Sequence, residues 1–247
     1  MKSSICIPDK KQVLMIAHRG LSGLETENTC AAFVAAGNHS YFGIETDVHR
    51  TKDGKFVVFH DDELTRMAGK ELKVEETDFD TLRSLSLFET RFYKPRETSR
   101  CDLRIPTLAE YIAICRQYDK VAVLELKNHF EKDDIFRICD EIAALDWLDK
   151  TIFISFDFEN LVFVREKHPA QTVQFLTGEV KDIDALLEKL AAHKFDWDAY
   201  HKVITKEIAD KCRALGIRIN VWTVDELPDA QRLIDAGVDF ITSDILE

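Results

Sequence analysis

The chain has no apolar run near the about 20 residues that a membrane span requires, so no stable membrane anchor is expected. Its first residues, Met1-Lys2-Ser3-Ser4-Ile5-Cys6, lack the apolar core of a signal peptide. It has no C-x-x-C pair; Cys6, Cys30, Cys101, Cys115, Cys139 and Cys212 are scattered. That spacing argues against disulfides or metal ligation and points to reduced, mostly buried thiols in a cytoplasmic protein. Positive charge is also short: 33 Lys and Arg stand against 45 Asp and Glu, a formal net charge of −12. A nucleic acid would be repelled, and any smaller anion needs a local positive centre. Low-complexity segments and long linkers are missing too. What remains is a globular chain of 247 residues, 45% of them hydrophobic, a length that a parallel α/β barrel fills as one domain.

Short β-branched runs alternate with longer amphipathic ones. The runs predict strands over 13–17, 42–47, 121–125, 151–155, 172–176, 194–198, 217–221 and 238–242. Helices are predicted between them, over 28–37, 107–118, 132–145, 157–167, 180–191, 205–215 and 226–236. Near-continuous apolar strands suit a parallel sheet covered on both faces. Gly37, Gly216 and Gly237 follow helical patterns, where a left-handed residue closes the last turn. Eight such units predict an α/β fold, a (β/α)8 TIM barrel, with residues 1–247 as a single domain.

Two stretches break the alternation. Asp53-Gly54 between extended segments predicts a hairpin, with strand two overshooting the barrel and folding back. The return brings His60 level with Glu45 and Asp47. Residues 62–104 are polar and irregular, with one helix expected near 78–86. They are expected to form a small insertion subdomain on the C-terminal rim, shaping access to the site.

Polar residues cluster where the runs stop. His18-Arg19 follows Val13–Ala17, Glu45-Thr46-Asp47 follows 41–44, His60-Asp61 follows Phe56–Phe59, and Glu125-Leu126-Lys127 follows Val121–Leu124. Barrel enzymes carry their chemistry at these strand ends. Residues two apart on a strand share a face, so Glu45 and Asp47 present two carboxylates together, and Glu125 and Lys127 a carboxylate and an ammonium. Carboxylates this close repel when ionised. A hard divalent cation, Mg²⁺ or Ca²⁺, on Glu45, Asp47 and Glu125 resolves that; rim ion pairs with Arg19, Arg50 or Lys127 are the alternative. His18 and His60 can flank one phosphate as general acid and general base. Arg19 offers it a bidentate fork and Lys127 a point charge. A Schiff-base role for Lys127 is opposed by Glu125, which keeps it protonated. Trp222 either lines the pocket or caps the barrel core. His39, His49, His129, His168, His193 and His201 fall in helices or loops on this reading and receive no chemistry.

Taken in order, His18-Arg19-Gly20, Glu27-Asn28-Thr29, Glu45-Thr46-Asp47-Val48, Thr51-Lys52-Asp53-Gly54, His60-Asp61, Ile105-Pro106-Thr107-Leu108, Glu125-Leu126-Lys127 and Val221-Trp222-Thr223-Val224 resemble the glycerophosphodiester phosphodiesterase family over essentially the whole chain. The resemblance implies metal-dependent hydrolysis of a small glycerophosphodiester to glycerol 3-phosphate and an alcohol. It implies a divalent metal on Glu45, Asp47 and Glu125, His18 and His60 as the acid–base pair, Arg19 and Lys127 on phosphate, and Glu27 orienting Arg19 or the metal shell. Thr26 replaces a common proline and Asp225 a common asparagine; Asp225 is expected to cap a helix rather than bias the headgroup. A lysophospholipid or phosphoinositide phosphodiesterase is the second reading. It would use Leu85, Leu87, Phe88, Phe92 and Tyr93, with Arg91, Lys94 and Arg96, at a membrane. The third is a non-catalytic phosphate-ligand-binding barrel, which would be expected to have lost a ligand or a histidine; none is missing.

Overall fold

Each apolar run becomes a strand whose alternate side chains face opposite ways. The computed structural model describes residues 3–89 and 100–247. Eight strands are parallel: β1 (Leu14–Ala17), β2 (Gly43–Arg50), β4 (Val121–Leu126), β5 (Thr151–Ser155), β6 (Val173–Thr177), β7 (Asp196–Tyr200), β8 (Ile219–Trp222) and β9 (Phe240–Ser243). They pair in sequence order, and β1 bonds both β2 and β9, which closes a (β/α)8 barrel. A ninth strand, β3 (Phe56–Val58), folds back antiparallel on the overshooting end of β2.

Helices α1 (Cys30–Gly37), α4 (Leu108–Gln117), α5 (Lys132–Ala144), α6 (Phe158–Lys167), α7 (Ile183–His193), α8 (Lys206–Ala214) and α9 (Leu227–Ala236) surround the barrel. Several starts are set locally. Thr29 accepts from Ala32 N, Thr205 from Ile208 N, and Thr107 with Glu110 forms a reciprocal cap. Met15, Ala17, Ile44, Ala122, Leu124, Trp197, Ala199, Ile219 and Val221 pack outward against the helices. Their neighbours Ile16, Val123, Ile152, Ile154, Leu176 and Phe240 form a separate apolar plug inside the barrel. The period of two then carries the inward face upward from the plug to His18, Glu45, Asp47, Glu125, Lys127 and Trp222. No helix among the described residues is long and apolar enough to cross a membrane.

Between β3 and α4 lie two short helices, α2 (Thr65–Ala68) and α3 (Phe79–Ser84). Leu64, Met67, Val74, Leu82, Leu87, Leu103 and Ile105 bury together there with Val57 and Phe59 of the hairpin. Leu85 packs against this cluster, so Leu85 and Leu87 are occupied within the protein. Phe92, Tyr93, Arg91, Lys94 and Arg96 lie outside the described residues.

Several local expectations are corrected. Strand seven begins two residues late, because Lys194 takes the left-handed turn (φ 54°) that ends α7. His49 lies in β2 rather than in a loop or helix, fully buried against Glu75. Asp225 does not cap α9; it accepts from Ser243 Oγ and Asp244 N and holds the end of β9. Gly216 and Gly237 are left-handed as expected, but Gly37 is not. Gly37 is instead a close approach: a Cβ there would lie 2.4 Å from the Tyr118 ring. Gly37→Ala should therefore cost about 1–3 kcal/mol from overpacking, read as a lower urea midpoint. An unchanged midpoint would mean that the ring moves freely aside.

Candidate active site

The site begins where β1 ends. Arg19 and Gly20 both take positive φ (53° and 75°), and a Cβ on Gly20 would lie 2.7 Å from the backbone of Ala32. The chain can therefore turn sharply across the barrel mouth only with glycine at that point. The turn aims the Arg19 N–H at Glu45 Oε2 (2.8 Å). Its guanidinium donates to Glu27 Oε1 (2.8 Å) and lies 3.9 Å from Asp47 Oδ2.

Glu45 and Asp47 point inward from β2, and Asp47 is registered opposite Glu125 of β4. Oxygens of the three buried carboxylates lie within 4.8 Å of one another. Lys127 Nζ sits 2.9 Å from Glu125 and 3.5 Å from Asp47. Burial, then repulsion from neighbouring carboxylates, raises Glu45 well above the usual range and Glu125 to about 8. Burial pushes Asp47 the same way, but Lys127, Arg19 and His60 outweigh it and hold Asp47 down to about 2. Arg50, offered as a rim partner by the sequence, pairs with Asp134 instead.

Asp47 Oδ1 is buried with no hydrogen-bond partner. Its other oxygen accepts from Asn28 Nδ2 (2.8 Å), whose amide oxygen is fixed by Thr46 Oγ1 (2.6 Å). A convergent set of hard oxygen donors, one of them unsatisfied, with two members raised by burial and mutual repulsion, fits a divalent cation.

Both histidines are backed by carboxylates. His18 Nδ1 lies 2.7 Å from Asp244 Oδ1, which also accepts from Ser22 Oγ (2.9 Å). His60 Nδ1 lies 2.7 Å from Asp61 Oδ1. A carboxylate only accepts, so each Nδ1 carries the hydrogen and each Nε2 is left for other chemistry. The hairpin bond from Phe59 N to Asp47 O (3.0 Å) brings His60 beside the β2 carboxylates.

His18, Arg19, Glu45, His60, Glu125, Lys127 and Trp222 line one cleft of about 90 Å³. Trp222 also packs on the barrel plug and meets Phe156 edge-on (5.7 Å, 88°), so it does both things the sequence allowed. Glu27 lies behind Arg19. Asp47 is buried and does not line the cleft.

Sequence reasoning left several residues without a role. Asp244 backs His18; it continues the inward period of β9 past Thr242, and the strand-end rule would have found it. Asp61 and Asn28 stood inside quoted motifs. Phe156 and the buried Asp198 line the cleft, and Arg66 grips Glu27 and Asp61 from α2. Arg66 carried no signal, because Glu27 and Asp61 lie on different loops, 39 and 5 positions away.

Residues 18–247 match the glycerophosphoryl diester phosphodiesterase family. A glycerophosphodiester phosphodiesterase of Caldanaerobacter subterraneus is 31% identical over 242 residues, covering 94% of each chain. A structure of a Parabacteroides distasonis glycerophosphodiester phosphodiesterase is 27% identical with a TM-score of 0.79, covering 96% of this chain and 94% of that one. An Oleispira antarctica phosphodiesterase, solved in complex with the product sn-glycerol-3-phosphate, is 26% identical with a TM-score of 0.82, covering 94% and 93%. With a closed parallel barrel and this site at its mouth, the chain belongs to the glycerophosphoryl diester phosphodiesterase family and is a phosphodiesterase of that class.

Proposed function

We propose that the protein hydrolyses a small glycerophosphodiester to glycerol 3-phosphate and an alcohol, with His18 and His60 as the acid–base pair. The observation that carries this is two imidazoles, each backed by a carboxylate at Nδ1, on one cleft with three converging carboxylates. Glu45, Asp47 and Glu125 would hold Mg²⁺ or Ca²⁺. When bound, the ion supplies positive charge that offsets the carboxylates and stabilises negative charge developing on phosphoryl oxygens.

The chain's own groups do the rest. Arg19, oriented by Glu27, and Lys127 hold the phosphate, so their charge acts where the transition state gains it. One histidine, neutral at Nε2, accepts the proton of the substrate's glycerol hydroxyl as that oxygen attacks phosphorus. The other, protonated at Nε2, gives its proton to the departing alcohol. Water then opens the cyclic phosphate with the two roles exchanged. Asp61 and Asp244 keep both rings in the required tautomer through the cycle. Trp222 forms the apolar wall of the cleft. We read residues 1–247 as one barrel domain and 62–104 as its rim subdomain. The six free cysteines suit a cytoplasmic setting. Packing of Leu85 and Leu87 inside the protein favours a small soluble diester over a lipid surface.

Three outcomes test this. His18→Ala and His60→Ala should each lower turnover of glycerophosphocholine by about 10²-fold or more with an unchanged circular-dichroism spectrum; near-wild-type turnover in both removes the acid–base assignment. EDTA should abolish glycerol 3-phosphate release, and added Mg²⁺ or Ca²⁺ should restore it; activity indifferent to chelation would discard the metal. Thirdly, Glu125 holds a proton up to about 8 in the folded chain but loses it near its ordinary value when unfolded. Metal-free protein should therefore lose stability as pH rises from about 5 to 8. Asp47, held down to about 2, titrates below that window and adds no slope within it. Urea titrations should show the slope reduced in Glu125→Gln and by added cation; the same slope in all three would overturn it.

A further inference from the structure

Arg66 lies on α2, outside the barrel, and turns its guanidinium back to the barrel mouth. Nη1 and Nη2 donate to the two oxygens of Glu27 (2.8 and 2.7 Å). Nε and Nη2 donate to the two oxygens of Asp61 (2.7 and 2.9 Å). Each carboxylate has a second partner in the site. Glu27 Oε1 also accepts from Arg19 Nη1 (2.8 Å), and Asp61 Oδ1 accepts the Nδ1–H of His60 (2.7 Å). One guanidinium is thus joined to Arg19 through one carboxylate and to His60 through another.

The backbone around Arg66 is pinned. Leu64, Met67 and Ala68 are buried with Val57 and Phe59 of the hairpin. Leu64 N donates to Leu72 O (2.9 Å) and Phe88 N to Met67 O (2.7 Å). The loop that carries Glu27 is tied to the same place, since Thr26 Oγ1 donates to Phe88 O (3.3 Å). With 41% of its side chain exposed, Arg66 is screened by water, and its ion pairs add little to stability. Its effect is geometric. A planar fork can satisfy two carboxylates edge-on at once, and an ammonium, a point charge, cannot reproduce that geometry.

We propose that Arg66 is a positioning residue for the phosphodiesterase reaction: it fixes Glu27 and Asp61 together, and through them the fork of Arg19 toward phosphate and the ring of His60 toward the reacting oxygens. The segment between β3 and α4 then does more than shape access; it delivers the clamp. This rests on the roles given above to Arg19 and His60. Its charge matters as well. With Arg66 removed, Glu27 is left to neutralise Arg19 alone, which weakens the grip on phosphate. Asp61, no longer shared, then acts on the imidazole undiluted; Asp47 is the other acid that His60 interacts with, and His18, Arg19, Glu45, Glu125 and Lys127 share its cleft.

The test uses the full chain with its metal, in Arg66→Ala and Arg66→Lys. On glycerophosphocholine, kcat/KM should fall about 10–100-fold in Arg66→Ala, the loss typical of a partner that orients a functional side chain. KM and the inhibition constant of glycerol 3-phosphate should rise together, and the pH dependence of kcat should move to higher pH because a nearby positive charge is gone. Arg66→Lys should return the pH profile toward wild type while leaving KM raised, since it restores charge without the fork. Wild-type kcat/KM in Arg66→Ala overturns the proposal. So does a loss of activity with product affinity and pH profile both unmoved, which is what a merely structural residue would give. If Arg66→Ala does not fold, Arg66→Lys decides alone: a raised KM in a natively melting protein supports the clamp, and wild-type kinetics overturn it. A wild-type chain inactive on every glycerophosphodiester would instead sink the reading of function, leaving product affinity as the readout of the clamp.

Discussion

The structure is organised around three carboxylates that do not belong together. Glu45, Asp47 and Glu125 are buried at the barrel mouth within 4.8 Å of one another, where repulsion and lost hydration both oppose their charge. Everything nearby answers that constraint. Lys127 and Arg19 approach from two strand ends, Asn28 donates to Asp47, and the backbone N–H of Arg19 donates to Glu45. These leave Asp47 Oδ1 unsatisfied and two of the three acids reluctant to ionise. Such an arrangement stores electrostatic strain that a cation would relieve, and it persists because the closed barrel over-determines the backbone beneath it.

The barrel supplies that rigidity by a division along most strands. Lower inward positions of β1, β4, β5, β6 and β9 carry Ile16, Val123, Ile152, Leu176 and Phe240, an apolar plug, with buried Asn220 donating to Gln174 beside it. Upper inward positions carry the polar groups. The same period of two that buries the plug therefore aims the site, and no separate device is needed to orient Glu45, Asp47 or Glu125. The two histidines have a further support: His18 continues the inward face just past β1, His60 follows the hairpin strand β3, and each is steadied by its own carboxylate, Asp244 just past the last strand and Asp61 beside His60. The acids are thus fixed by strands, and the imidazoles by side chains as well.

Much of this was legible in the chain. The strand ends at His18, Glu45, Asp47, Glu125 and Lys127 could be read because strand periodicity is local, and the Asp53-Gly54 turn is a two-residue signal that accounts for His60. Errors arose where a residue's meaning depended on something distant. Gly37 looked like a helix terminator, and its reason is the Tyr118 ring. Asp225 looked like a cap, and it bonds the far side of β9. His49 looked like a helix or loop residue, although the overshoot of strand two that the Asp53-Gly54 turn predicts already carries it into β2.

Sequence by itself determined the alternation of strands and helices, and hence the barrel, the inward face of each strand and the groups at its upper end. These follow from periodicity and from capping chemistry that act over a few residues. Only the tertiary structure decided which carboxylate backs which histidine, that Glu27 and Asp61 share the guanidinium of Arg66, and that Arg50 turns away to Asp134. Apart from the adjacent His60 and Asp61, those pairings join residues separated by 5 to 226 positions. They depend on where closure of the barrel and packing of the segment between β3 and α4 bring the side chains, and no local rule of sequence encodes that placement.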